Sequence, residues 1–192
     1  MSVGADVQAL LRDVGALREG HFLLTSGRHS DRFFLLARLF EHPEAGERVA
    51  RLLADAVRRR PGLAPVSTVV GPAMGGVLLA YDLARQLGAR AMFAEKSEDG
   101  MRLRRGFRLR PGERVLVAED AVTTGGSAAR AVEAARAQGA FVVAVAAVVR
   151  RGRHQPAFTV PLVALCEDDA VDWTAADCPL CRGGSQVLAP KD

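Results

Sequence analysis

The segment VLVAEDAVTTGGSAARAV, residues 115–132, decides the fold prediction. Its first part, residues 115–118, is a short continuous apolar run, which is typical of a strand buried on both faces of a parallel sheet. Two adjacent acids, Glu119 and Asp120, come next, followed by a glycine-rich turn and a segment with helical periodicity. A buried strand that leads through such a turn into a helix predicts an α/β protein, with ligand-binding loops at the carboxyl ends of its strands.

The turn at residues 123–127, Thr-Thr-Gly-Gly-Ser, has the composition of a phosphate-binding loop. Its two glycines allow successive amide hydrogens to converge, and its threonines and serine supply hydroxyl donors. The N-terminus of the following helix adds partial positive charge. We therefore call residues 123–127 the cradle and predict that it binds a phosphate group.

The acid pair Glu119 and Asp120 would repel a phosphate, so it must serve another part of the ligand. Two carboxylates just before an anion-binding turn suit a ligand with hydroxyl groups or a metal ion near its phosphate, and ribose 5-phosphate has this geometry. The turn matches neither G-x-G-x-x-G nor G-x-x-x-x-G-K-[ST]. The alternative is a structural turn with a capping hydroxyl and a solvent-facing acid pair, but the buried strand directly upstream favours a ligand site.

Two further segments suggest ligand contacts. Residues 71–76, the first glycine loop, lie at another predicted strand-to-helix junction, where glycines permit close approach of a ligand to the backbone. Residues 96–106, KSEDGMRLRRG, form a polar, cationic stretch between apolar runs, and we call this stretch the lid because it could close over a polyphosphate. A tight proline turn and a solvated hairpin are the respective structural alternatives.

Outside these loops the chain alternates between helix and strand periodicity. Residues 5–18 and 43–60 are predicted helices, and the apolar runs that flank Ser26-Gly27 predict a hairpin or two short strands. Gly88 and Gly139 are the expected left-handed stops of two later helices. The pattern predicts helices that flank a central parallel sheet.

The length of 192 residues predicts one domain, residues 1–192. Residues 1–40 and the C-terminal segment are left to form a small lobe beside the sheet, which we call the hood. A hydrophobic content of 49% with 25% charged residues excludes a disordered or fibrous chain. Without a long apolar run, and with Asp6 and Asp13 near the start, the chain is predicted to be cytoplasmic and not bound to a membrane.

The net charge of +4 permits nucleic-acid binding, but most of the arginines are interspersed with acids. The cysteines are too few for a disulfide scaffold. Cys178 and Cys181 have C-x-x-C spacing, but a structural zinc site usually needs four nitrogen or sulfur ligands, and the other candidates, Cys166 and four histidines, are scattered along the chain. We therefore predict no metal held by protein ligands, and surface or capping roles for His21 and His29, or a contact with substrate.

The acid pair followed by TTGGS resembles the phosphoribosyl pyrophosphate (PRPP) signature of the type I phosphoribosyltransferases. Other segments resemble orotate phosphoribosyltransferases in particular, so that the resemblance covers nearly the whole chain. These segments are GHFLLTSGRHSDRFF (20–34), VVGPAMGG (69–76), LRRGF (103–107), VVRRG (148–152) and DCPLC (177–181).

The resemblance implies the type I phosphoribosyltransferase fold with a hood, and transfer of phosphoribosyl from PRPP to orotate in a reaction that uses Mg²⁺ bound mainly through PRPP or diphosphate. It implies PRPP contacts from Glu119, Asp120, Ala121, Val122, Thr123, Thr124, Gly125, Gly126 and Ser127, and from Gly71, Pro72, Ala73, Met74, Gly75 and Gly76, the first glycine loop being one that often holds a non-proline cis peptide in the family. It implies orotate contacts from Thr123, Arg151 and either Phe33 or Phe34.

The family resemblance also implies a homodimer in which the lid reaches into the partner's site, so that Lys96, Arg104 and Arg105 join Glu119 and Asp120 in catalysis. The lid departs from the family in being mostly arginine and in lacking histidine, which argues for charge neutralisation and against a proton relay. A purine phosphoribosyltransferase is the alternative enzyme. A PRPP-sensing nucleic-acid-binding regulator is the alternative from another class, although no helix-turn-helix or aromatic RNA-binding segment precedes the core, so small molecules and not nucleic acid are the predicted partners.

Overall fold

The computed structural model describes residues 3–24, 26–98, 100–152, 155–169 and 171–189. The strands are β1 Leu17–Leu23, β2 His29–Phe34, β3 Thr68–Pro72, β4 Arg90–Ser97, β5 Gly100–Leu103, β6 Arg114–Val122, β7 Phe141–Arg151, β8 Leu162–Asp168 and β9 Asp172–Trp173. The helices are α1 Val3–Asp13, α2 Ala37–Phe40, α3 Pro43–Arg59, α4 Gly76–Leu87, α5 Gly126–Arg136 and α6 Pro179–Arg182.

A six-stranded sheet of order β5-β4-β3-β6-β7-β8 forms the centre of the fold. All neighbouring strands are parallel except β5, which pairs antiparallel with β4 at the edge. Helices α3 and α4 pack on one face, and α5 covers the other. The predicted α/β class with a central parallel sheet flanked by helices is confirmed.

The apolar runs of β6 and β7 are buried on both faces, as predicted for central strands. Each of the eight residues at positions 142–149 in β7 is buried, and their side chains alternate between the cores on the two faces. Burial of one valine side chain stabilises the fold by about 1.5–3 kcal/mol relative to an exposed one. The same burial fixes the register of β6, and therefore the position of the acids at its end.

Helix boundaries agree with the sequence prediction where a strong stop signal is present. The predicted helix 43–60 is observed as α3, and Gly88 ends α4 in the left-handed conformation with φ 68°. The prediction for residues 5–18 is wrong at its end, because α1 stops at Asp13 and Gly15 takes a φ of 69°. Strand β1 begins two residues later.

The hood is built on a small second sheet of order β1-β2-β9. Strands β1 and β2 form the predicted strand pair, and β9 of the C-terminal segment pairs antiparallel with β2. The tail then returns to β1, where the Leu23 amide donates to the Leu188 carbonyl and the Leu188 amide donates to the His21 carbonyl. The hood therefore joins the two ends of the chain.

The helices within the described ranges are too short or too polar to span a membrane. None of them combines the length and the apolar character needed to cross a bilayer.

Candidate active site

Glu119 and Asp120 lie near the C-terminal end of strand β6, which continues to Val122. Glu119 is only 6% exposed, and its Oε2 atom has no hydrogen-bond partner in the described structure. The Asp120 Oδ1 atom accepts a hydrogen bond of 2.7 Å from the Ala121 amide. One acid is therefore buried beneath the sheet edge and the other is held by the backbone just above it.

Burial perturbs the ionisation of both carboxyl groups. Burial, followed by the charge of Asp120, raises the pKa of Glu119 to about 8, and burial also raises the pKa of Asp120. Near neutral pH the pair therefore carries less than its full two negative charges. This reduces the repulsion that the pair would exert on a phosphate in the cradle.

The first glycine loop and β6 meet at Asp120. A Cβ atom on Gly75 would lie 2.8 Å from the Asp120 Oδ2 atom, so only glycine permits this approach. Within the loop, a Cβ atom on Gly71 would lie 2.2 Å from the Gly76 carbonyl oxygen. The peptide bond between Ala73 and Met74 is cis, as the family resemblance implies. Both predicted loops thus converge on the same carboxylate.

The cradle lies between β6 and α5. Gly125 precedes α5 with φ 76°, and a Cβ atom there would lie 2.8 Å from the Phe158 ring. The Thr124 carbonyl accepts a hydrogen bond from the Ala157 amide at 2.9 Å, which fixes the turn against the segment after β7. Thr123 and Thr124 are exposed, so their hydroxyl groups are available to a ligand.

The acid pair and the cradle line one cavity of about 330 Å³. It is lined by residues 119–128 and Arg130, so the predicted residues Glu119, Asp120, Ala121, Val122, Thr123, Thr124, Gly125, Gly126 and Ser127 all border the same space. The first glycine loop lies next to this cavity, because Gly75 approaches the Asp120 carboxylate.

Arg130 was not found by sequence reasoning. It projects from the first turns of α5, its Nη2 atom lies 3.4 Å from the Ser127 hydroxyl oxygen, and its charge lowers the pKa of Glu119 against the effect of burial. A residue three positions after a cradle serine on a helix faces the same side as that serine. That spacing is the signal that could have identified it.

Arg151, the predicted orotate cation, lies at the end of β7, which pairs with the end of β6 just before the cradle. Arg150 pairs in register with Val122, so Arg151 is one residue beyond the end of that pairing. Arg151 is half-buried, donates from Nη2 to the Ser30 hydroxyl oxygen at 2.9 Å and the Arg32 carbonyl at 3.1 Å, and lies 5.8 Å from the centre of the Phe34 ring. Burial lowers its pKa, but an arginine remains charged.

Phe33 and Phe34 occupy opposite faces of β2, as neighbours on a strand must. Phe34 packs against the main core beneath Arg151, whereas Phe33 contacts Phe22 in the hood with ring centres 5.8 Å apart. Only Phe34 is therefore brought together with the predicted orotate cation.

The described residues of the lid do not line the cavity. Residues 96–97 belong to β4 and residues 100–103 to β5, so the described part of the lid is largely an antiparallel hairpin, while Asp99 is outside the described residues. Lys96, Arg104 and Arg105 are exposed. Arg105, at φ 57°, forms an ion pair of 2.9 Å with Glu95 of the same hairpin.

Comparison with known proteins places these features in a family context. A family model for the phosphoribosyl transferase domain matches residues 36–158. The chain is similar to the orotate phosphoribosyltransferase of Heliobacterium modesticaldum, with 47% identity over 181 residues and 94% of each chain covered. It is equally similar to that of Thermotoga maritima, with 47% identity over 184 residues and 96% of each chain covered. Among solved structures, the orotate phosphoribosyltransferase from Aeropyrum pernix aligns with a TM-score of 0.70 and 29% identity, over 84% of this chain and 93% of that one.

Proposed function

The chain belongs to the orotate phosphoribosyltransferase family, and from this membership we propose how its site carries out the transfer. The enzyme transfers the phosphoribosyl group of PRPP to orotate and forms orotidine 5′-monophosphate and diphosphate, a step of pyrimidine biosynthesis. The bond between the ribose C1 and the diphosphate oxygen breaks, and a bond between C1 and an orotate nitrogen forms. Positive charge develops on the ribose as the diphosphate leaves.

We infer that the cradle binds the 5-phosphate and that the acid pair addresses the ribose. The cavity that unites residues 119–128 supports this assignment, because it places carboxyl groups beside a turn rich in amide and hydroxyl donors. Asp120 would stabilise the positive charge that develops on the ribose, while Glu119 would contact its hydroxyl groups. The first glycine loop, which touches Asp120 through Gly75, would hold the diphosphate end.

The residue that argues most directly for orotate is Arg151. A purine carries no carboxylate, whereas orotate does, and a half-buried guanidinium beside the cradle is suited to bind one. We propose that Arg151 pairs with the orotate carboxylate, with Phe34 beneath it and Thr123 at the side of the base.

The donor chemistry at this edge of the sheet also fits Mg²⁺. The Asp120 carboxylate and the unpartnered Glu119 Oε2 atom are oxygen donors, which this ion prefers, and it commonly keeps several water and phosphate ligands. We infer that Mg²⁺ is held mainly through PRPP or diphosphate and that, when bound, it neutralises charge on the leaving group. The protein side chains orient the ribose and exclude water.

We propose that the enzyme is a homodimer in which the lid cations serve the partner's site. Support comes from the position of Lys96, Arg104 and Arg105, which do not line the cavity formed by the described residues of their own chain. Opening of the Arg105 pair with Glu95 would release a cation for the diphosphate. A cytoplasmic location and a single domain over residues 1–192 remain predictions from the sequence.

A base-selection assay tests the function. The purified enzyme with PRPP and Mg²⁺ is expected to consume orotate and to leave adenine, guanine and xanthine unchanged. Uracil, which resembles orotate without its carboxylate, separates recognition of the ring from recognition of the carboxylate. Turnover of a purine at a comparable rate would favour the alternative enzyme, and use of uracil as efficient as that of orotate would contradict the role of Arg151.

A further inference from the structure

Four potential metal ligands from distant parts of the chain meet inside the hood. His21 and His29 come from β1 and β2, while Cys178 and Cys181 come from the start of α6 in the C-terminal tail. Their ligand atoms all lie within 4.8 Å of one another, and the first three residues are buried. The sequence interpretation that the C-x-x-C pair lacks nearby partners is therefore wrong.

The nitrogen-to-sulfur distances of three pairs are close to those of a tetrahedral site. The His21 Nε2 atom lies 3.5 Å from the Cys178 Sγ atom and 3.6 Å from the Cys181 Sγ atom, and the Cys181 Sγ atom lies 3.3 Å from the His29 Nδ1 atom. Zinc bonds of about 2.0–2.1 Å to nitrogen and 2.3 Å to sulfur imply nitrogen-to-sulfur separations of about 3.6 Å in a tetrahedron. The two ring nitrogens are 2.7 Å apart and would have to separate by roughly 0.6 Å.

The orientation of His21 is already that of a metal ligand. Its Nδ1 atom lies 3.0 Å from the Ser185 carbonyl oxygen, which can only accept a hydrogen bond, so Nδ1 carries the proton. In the neutral ring, Nε2 then presents its lone pair to the two sulfur atoms and to His29. A second ring nitrogen that donates to a backbone carbonyl is the usual support of a metal-bound histidine.

We propose that His21, His29, Cys178 and Cys181 bind one zinc ion that holds the C-terminal tail against the hood. Two sulfur and two nitrogen ligands in a tetrahedral arrangement favour zinc over magnesium or calcium, which prefer oxygen. Binding converts both thiols to thiolates and releases their two protons to solvent. The proton that His29 Nδ1 donates to His21 Nε2 moves to His29 Nε2, so that the neutral His29 ring can bind the metal through Nδ1. The complex with one Zn²⁺ is then electrically neutral, which suits its burial.

The site would close very long loops of the chain. Cys178 is 157 positions from His21, and Cys181 is 152 positions from His29. A metal bound only by the folded state stabilises that state, because the unfolded chain does not hold these ligands together. The described part of the hood sheet has only three strands. A metal crosslink would therefore add stability that a small sheet obtains less easily from apolar burial.

Metal analysis of the unmodified chain tests the proposal without any variant. The protein, prepared without a histidine tag and kept reduced, is expected to contain about one zinc ion per chain by elemental mass spectrometry. After replacement of zinc by Co²⁺, the visible spectrum is expected to be that of tetrahedral cobalt with thiolate ligands. Failure to take up one equivalent of zinc after reduction and reconstitution would overturn the proposal, as would an octahedral cobalt spectrum.

Matched cysteine variants locate the site. Cys178→Ser and Cys181→Ser are each expected to lose stoichiometric zinc and the thiolate bands of the cobalt form. Cys166→Ser is the control, because Cys166 is a buried free thiol outside the cluster whose Sγ atom donates to the Val148 carbonyl, a bond that serine can also make. Retention of zinc by both cluster variants, or its loss from the control alone, would contradict the assignment.

Discussion

The cradle and the hood are assembled in opposite ways. The cradle and its acid pair come from one uninterrupted segment, residues 119–127, positioned by a strand buried on both faces and by the helix that follows. The hood joins residues more than 150 positions apart, as in the His21 contact with Cys178. A site built from one segment leaves a readable motif, whereas a site built by long-range contacts does not.

The largest expected effect concerns the cradle, where the backbone itself is the functional element. Gly125→Ala places a Cβ atom 2.8 Å from the Phe158 ring at a φ of 76°, so the turn must move and its amide donors lose their alignment. We expect PRPP affinity to fall by roughly 100-fold or more. Isothermal calorimetry with PRPP and Mg²⁺ measures this loss.

Gly112→Ala is the control that separates the steric clash at Gly125 from the cost of a positive φ at a residue with a side chain. Gly112 has a φ of 73° but no atom within 4 Å of an added Cβ. Both variants therefore carry the same kind of backbone strain, and only Gly125→Ala disturbs the cradle. Equal losses of PRPP affinity in the two variants would show that the turn geometry at Gly125 is not specific to binding.

The second prediction asks whether the lid completes a neighbour's cradle. A chain with Arg104→Ala and Arg105→Ala, mixed with an Asp120→Asn chain, is expected to recover activity, because each heterodimer has one site with both defects and one with neither. Random exchange makes half of the dimers mixed, so the recovered activity should approach about a quarter of the wild-type value. Steady-state assays before and after mixing measure it.

Subunit exchange must be demonstrated in the same samples by native mass spectrometry. If heterodimers form and activity stays at the level of the separate inactive chains, the lid acts within its own chain. The cradle and the lid of the same chain would then serve one site, and the proposed sharing of the site between subunits would be wrong.

The strand, turn and helix that form the cradle were predictable from the sequence because each of these parts has a local cause. The buried run before Glu119, the paired glycines and the start of α5 all lie within one segment, so strand burial and turn chemistry can be inferred without knowledge of distant contacts. The parallel central sheet with flanking helices was predicted for the same reason. The end of α1 was misplaced because Gly15, inside the predicted helix, was not recognised as its stop.

The hood cluster and Arg130 were missed for different physical reasons. His21 and Cys178 meet only because β9 pairs with β2 and the tail returns along β1, which no local periodicity indicates. Arg130 was within reach of sequence reasoning, since its helical spacing from Ser127 places both on one face. The burial that raises the pKa of Glu119 depends on the tertiary packing around β6, and this is also a long-range property.

The third prediction concerns Arg151, which joins the end of β7 to the hood. Arg151→Ala is expected to raise the KM for orotate by about 10- to 100-fold, because a charged hydrogen bond in a half-buried site contributes about 1.5–3 kcal/mol. The KM for PRPP should change little. Arg150→Ala is the matched control, since Arg150 forms only a 3.5 Å pair with the exposed Glu167 among its described contacts.

Because Arg151 also donates to Ser30 and Arg32 in the hood, thermal unfolding of both variants should accompany the kinetics. A parallel rise in the KM values of both substrates would mean that Arg151 positions the hood and does not recognise the orotate carboxylate.

The last prediction is a pH-dependent stability that arises within the cradle segment itself. The pKa of Glu119 is raised from 4.5 to about 8 by burial and by the charge of Asp120, so between these pH values the folded protein holds a proton that the unfolded chain releases. The contribution of Glu119 to stability is therefore complete below pH 4.5 and is lost as the pH rises towards 8. Glu119→Gln, which cannot ionise, should gain stability relative to the wild type as the pH rises, by at most about 1.4 kcal/mol per pH unit.

Urea unfolding at several pH values measures this difference, and Glu133→Gln, on the exposed side of α5, is the control variant. If the difference in unfolding free energy between wild type and Glu119→Gln stays constant with pH, Glu119 is ionised in the folded protein. The phosphate in the cradle would then lie beside two full negative charges.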